Sequence, residues 1–94
     1  MKFLVIAMPI VPLTDPSVLD KLAEWMREQQ QAGRIQAAYG LVGGGGCSVM
    51  DVASAEELHD YTALCPIGSY LSFEIKPLID LKTSFSMGRE HLTS

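Results

Sequence analysis

Apolar and polar positions along the chain switch repeatedly between two periods, and each switch marks an element. Lys2–Ile10 is apolar on both alternating sides, with Phe3, Val5 and Ala7 against Leu4, Ile6 and Met8, the pattern of a central strand covered on both faces. Asp15 then stands before Pro16 as a helix cap with proline in the first turn, where its missing N–H costs nothing. The period lengthens to that of a helix running to about Ala32. Val18, Leu19, Leu22, Ala23, Trp25 and Met26 form its apolar stripe, and Asp20, Lys21, Glu24, Arg27 and Glu28 its wetter side. Gly33 supplies the stop. Arg34–Val42 alternates again, Ile35, Ala37, Tyr39 and Leu41 on one side and Gln36, Ala38, Gly40 and Val42 on the other.

The stretch Ser48–Leu78 is the most self-consistent. Ser48–Val52 is rich in β-formers and follows the turn Gly43–Gly46. Ser54, with Glu57 three residues on, predicts a capping box. Leu58, Tyr61, Thr62 and Cys65 fall at helical spacing, and Pro66 ends the helix. From Tyr70 the period returns to two, with Leu71, Phe73 and Ile75 opposite Tyr70, Ser72, Glu74 and Lys76, and Pro77 closes the strand. Beyond it, Ile79, Leu81, Thr83, Phe85 and Met87 alternate with polar residues. This predicts an extended C-terminal arm over residues 79–87 that reaches a neighbouring subunit, followed by a disordered tail, Gly88–Ser94.

The element order is therefore β-α-β-β-α-β, a ferredoxin-like α+β sandwich forming one domain over residues 1–94, with its core in residues 1–78. First and third strands are the inner pair in that topology, and they are the most apolar here. Both helices cover one face of the sheet, so the other face needs a cover, most naturally that of a second copy.

Composition sharpens this. With 94 residues, 48% hydrophobic and 19% charged, the chain carries more apolar surface than so small a core hides, which favours a homo-oligomer. A net charge of −4 excludes nucleic acid as partner. No apolar run reaches membrane-spanning length, and Pro9 and Pro12 interrupt the first one, which reads as a strand and not as a leader; the expectation is a cytoplasmic protein with no membrane partner. Cys47 and Cys65 form neither a redox pair nor part of a metal quartet, and no metal site is expected.

Candidate chemistry is sparse. Four glycines in a row lack the following helix and Lys-Ser/Thr of a phosphate loop, and fit a hairpin or a close backbone approach. Glu74, on the side of its strand away from Leu71, Phe73 and Ile75, points toward whatever a second subunit encloses. An apolar enclosure would raise its pKa and make it a proton shuttle; an ion pair with Arg34 or Lys76 is the plainer alternative. Tyr39 and Tyr70 can orient a substrate oxygen, or simply pack with their hydroxyls at a rim. Trp25 and Glu28 share a helical face, with Glu28 either a base or an ordinary exposed glutamate. His59 has the intrinsic pKa for acid–base work but lies off the buried stripe. Ser72 shares the Glu74 side.

The words SVMDVASAEELHDY and YLSFEIKPL resemble the muconolactone isomerase family, in which a strand ending in Asp-Val leads into a Glu-Leu-His helix and a Tyr-x-x-x-Glu-x-x-Pro-Leu strand follows. The resemblance covers roughly a third of the chain closely and the first half in layout. It implies a dimeric α/β barrel, and a carboxylate at Glu28 before the glycine that ends the first helix. It also implies a cofactor-free isomerase that moves a proton on a lactone or enolisable carbonyl compound. For such a reaction the candidates in this chain are Glu74 or Glu28 as base and Tyr39 or Tyr70 to steady the enolate oxygen, with Trp25, His59 and Ser72 around the substrate. Along the second strand, where that family carries polar and aromatic groups including His and Arg, this chain has Ala37 and Gly40. Loss of a carboxylate clamp there points to a larger, less charged or different substrate. The alternatives are a cofactor-free monooxygenase or cyclase on an aromatic or polyketide substrate, or a non-catalytic ligand-binding module.

Overall fold

The computed structural model describes residues 1–93, and each strand and helix begins where a local signal places it. β1 (Lys2–Pro9) leads to α1 (Pro16–Gln31), whose cap is Asp15: its carboxylate accepts from the Ser17 backbone N–H at 3.0 Å and from the Ser17 hydroxyl at 2.9 Å. Gly33 follows at φ +79°, where any other side chain would be strained. β2 (Ile35–Gly40) and β3 (Gly46–Asp51) form a hairpin, and α2 (Ala55–Leu64) starts at Ser54. The Ser54 hydroxyl accepts from the Glu57 N–H at 3.1 Å, while Glu57 reaches back one residue further than a capping box requires, to the Ala53 N–H at 2.6 Å. A 3₁₀ turn at Gly68–Tyr70 delivers the chain to β4 (Leu71–Leu78), and α3 (Leu81–Thr93) follows.

The four strands form one antiparallel sheet in the order β2-β3-β1-β4, the ferredoxin-like order with β1 and β3 inside. Pro77 is tolerated within β4 because that strand is an edge. Phe3, Val5, Ile35, Met50, Val52 and Leu58 make the core between sheet and helices. Register sorts the other side: Leu4 pairs with Val49, and Ile6 lies between Cys47 and Glu74.

β2 departs from simple alternation. A bulge between Ile35 and Ala37 shifts the register, so Ile35 pairs with buried Met50 and Ala38 with buried Ser48, while Ala37 and Tyr39 pair with Val49 and Cys47 on the open face. Ile35 therefore does not share a face with Ala37 and Tyr39. The hairpin loop has Gly43, Gly44 and Gly45 all at positive φ. At Gly45 a Cβ would sit 2.7 Å from the Ala7 carbonyl oxygen, so the glycine run admits the close approach of β1.

The C-terminal region is helical and not extended. Asp80 caps it, its carboxylate accepting from the Thr83 N–H at 3.3 Å and its carbonyl from the Ser84 N–H at 2.9 Å. An isolated strand leaves its N–H and C=O groups without protein partners, whereas a helix satisfies its own; with no sheet edge pairing this segment, the cap decides. Helix replaces the expected disordered tail through Thr93; Ser94 lies outside the described residues. Leu81, Phe85 and Leu92 form an apolar stripe on α3 that is left open, Phe85 being 69% exposed. The chain extends 55 × 28 × 19 Å with a radius of gyration of 15.7 Å, against about 12 Å for a compact chain of this length. α3 stands off the body.

The Asp15 cap gives a pH test. The backbone and side-chain hydrogen bonds from Ser17, with a smaller contribution from Lys21, hold its carboxyl below the usual carboxylate range. Its stabilisation is present above the unfolded-state pKa and is lost as pH falls through the lower folded value. The difference in urea midpoint between the wild type and Asp15→Ala should therefore shrink as pH falls below about 4. A difference unchanged down to the acid limit would show that the carboxylate's charge plays no part in the cap.

Candidate active site

Between the helix-side face of the sheet and the two helices lies a cavity of about 430 Å³, within the range of small-ligand sites. α1 contributes Leu19, Leu22, Trp25 and Met26, the inner strands Val5, Ala7, Ser48 and Met50, and β4 Leu71 and Phe73. α2 adds Tyr61, Thr62 and Cys65, and Gly45 and Gly46 of the hairpin complete it. Small residues make the room: Ala7 and Ala38 stand where larger strand residues would fill the gap. Among the described residues, no charged side chain and no histidine lines this space.

Polarity gathers just behind the lining. The Tyr61 hydroxyl donates to Glu57 Oε1 at 3.2 Å, one helical turn earlier. Arg34 places its guanidinium 4.5 Å from the centroid of the Tyr61 ring, with Nε 3.9 Å from Glu57 Oε1, and donates from Nη1 to Gln29 Oε1 at 3.2 Å. Gln29 is buried, and within this cluster each charge has a partner. Burial pushes the Cys65 thiol up, partly offset by the Ile67 backbone N–H.

The sheet divides the residues singled out from the sequence. Trp25 lines the cavity, whereas Tyr39, paired with Cys47 on the open face, borders it only at the exposed end of β2. His59 is exposed and lines a shallow neighbouring depression that shares Thr62, Cys65 and Phe73 with the cavity. Glu28 is exposed on α1, one turn on from Trp25. Tyr70 is exposed at the end of the 3₁₀ turn, its carbonyl accepting from the Ile10 N–H. Ser72 and Glu74 lie on the open face, as their alternation predicts. The Ser72 hydroxyl donates to the Met8 carbonyl at 3.5 Å. Glu74 pairs with Lys76 of the same strand at 3.3 Å, its side chain 61% exposed. Within one protomer it is an ion-paired surface carboxylate, and no apolar enclosure surrounds it.

Tyr61, Glu57 and Arg34 escaped the sequence reading. The Glu57/Tyr61 spacing of four was the available signal, but each residue already had a local role, cap and stripe. Among the described residues no cluster of three or more His, Cys, Asp or Glu side chains is placed to hold a metal, and no helix is long and apolar enough to cross a membrane.

Comparison with known proteins places this architecture. The profile of the muconolactone delta-isomerase family matches residues 1–83, and the chain belongs to that family. Its fold is similar to the crystal structure of muconolactone isomerase at 3.3 Å resolution, with a TM-score of 0.72 and 28% identity over 85% of this chain and 90% of that one. It is also similar in fold to 5-chloro-2-hydroxyhydroquinone dehydrochlorinase from Burkholderia phenoliruptrix AC1100, solved in complex with 2,5-dihydroxybenzoquinone. The TM-score there is 0.70, at 16% identity over 88% of this chain and 98% of that one. No curated protein sequence matches significantly.

Proposed function

We propose that this family member is a proton-shifting isomerase that needs no cofactor and acts on a small enolisable ring compound of the lactone type, bound between sheet and helices. The carrying observation is the apolar cavity, walled by Trp25, Tyr61 and Phe73, in a chain whose family is defined by a lactone isomerase. Moving a double bond across three atoms needs one base to take a proton from one carbon and return it to another. Exclusion of water protects the enolate between the two steps. No carboxylate lines the cavity, so the base must reach in from its border. Glu28 is the better placed candidate: it follows Trp25 by three residues on the same helical face, whereas Glu74 sits across the sheet in its pair with Lys76.

The test is direct. Uncharged butenolides incubated with the protein in deuterated water should show the double-bond shift with solvent deuterium at the receiving carbon. Glu28→Gln should lower kcat by about 100-fold or more. Unchanged kcat in that variant would move the base elsewhere, and no turnover of any lactone would leave the chain a ligand-binding module.

The working unit in this reading is an oligomer, with the open sheet face on a second copy and α3 laid across a neighbour. Leu81, Phe85 and Leu92 have nothing to cover them in one chain. A chain ending at Leu78 should lose oligomer mass by light scattering; if it keeps both the assembly and the stability of the full chain, α3 has no part in either.

A further inference from the structure

A cavity that binds a ligand must either pair the ligand's charge or exclude it. The lining here offers hydroxyls, thiols and backbone, but no cation. The nearest guanidinium shown beside a lining residue is that of Arg34, which lies over the Tyr61 ring at 4.5 Å and does not itself line the cavity. Tyr61 is therefore both cavity wall and platform for the cation. Its hydroxyl is tied to Glu57 at 3.2 Å, and Glu57 in turn lies 3.9 Å from Arg34, so the ring is fixed in that place by polar contacts at its far end.

We propose that Tyr61 is a specificity-determining residue whose ring screens Arg34 from the cavity, so that the site takes uncharged, flat ring compounds and rejects their carboxylates. This rests on the reading of the cavity as the substrate site and narrows its substrate class. The physical reason is desolvation. A carboxylate entering this space would give up its water and meet no positive partner, since Arg34 is already engaged by Glu57, Gln29 and the aromatic face. An uncharged ring loses little on entry and packs against Trp25, Tyr61 and Phe73.

Trp25 is the sole tryptophan of the chain and lines the cavity, so its fluorescence reports occupancy. The experiment titrates the intact protein with coumarin, an uncharged fused lactone, and with coumarin-3-carboxylate, using Trp25 quenching and calorimetry. Coumarin should bind at least about 10-fold more tightly than the carboxylate. Tyr61→Phe, which keeps the ring, should preserve that ratio. Tyr61→Ala should narrow it by opening a path to Arg34, and Tyr61→Leu serves the same purpose should the alanine variant not fold. Equal or tighter binding of the carboxylate by the wild type overturns the proposal while leaving the cavity as the ligand site. A ratio unchanged in both Tyr61→Ala and Tyr61→Leu overturns the screening role. Failure of both probes to bind overturns the cavity reading itself, and the proposed function with it.

Discussion

Leu58→Ala should lower the free energy of unfolding by about 2–5 kcal/mol. Leu58 is 2% exposed and belongs to the buried cluster with Phe3, Val5, Ile35, Met50 and Val52, where it joins α2 to the inner strands. Removing its isobutyl group loses the transfer energy of the missing carbons and leaves a void, because the strand side chains around it are held by the ladder and cannot close in. A chain of this size has about 5–15 kcal/mol of stability to begin with. The loss should therefore appear as a fall in the thermal midpoint of about 10 °C or more. Leu64, on the same helix but 70% exposed, is the control: its alanine variant should stay within about 0.5 kcal/mol of wild type. Equal, small effects from the two would mean that α2 is not anchored through Leu58.

If the open sheet faces of two copies pack together as proposed, Val49→Glu should weaken that association while leaving the protomer folded. Val49 sits on inner strand β3, paired with Leu4 on one side and Ala37 on the other, on the face that carries no helix. Ile6 and Met8 continue that apolar surface, and Glu74 and Lys76, at its β4 edge, neutralise each other. If two such faces pack about a two-fold axis, each new carboxylate is desolvated and faces its symmetry mate's surroundings. Like charges in an interface cost several kcal/mol, so association should weaken by about 100-fold or more. Sedimentation at matched concentrations would read this, with circular dichroism to confirm the fold. Undiminished association would assign the interface to another surface, and the chain ending at Leu78 would show whether α3 is that surface.

Much of the fold was legible because its signals are local. Asp15 before Pro16, Gly33 after the helix, and Ser54 with Glu57 act within four residues of themselves; each appears as read, except that Glu57 takes the Ala53 N–H in place of that of Ser54. The apolar character of β1 and β3 marked them as the inner pair, and alternation assigned Glu74 to the face away from Phe73. Those features follow from period and capping, which need no knowledge of the rest of the chain.

Three others were decided only by the assembled structure. The bulge in β2 changes which of Ile35, Ala37 and Tyr39 look inward, and a bulge belongs to a pair of strands, not to either sequence alone. Residues 79–87 alternate as a strand would, but a strand needs an edge to pair with; without one, the Asp80 cap and self-satisfied helical hydrogen bonds prevail from Leu81 on. The cavity and the Arg34–Glu57–Tyr61 cluster join residues more than twenty positions apart. A side chain's local role, cap or stripe, says nothing about what packs on its other side, and that is fixed only when helix and sheet come together.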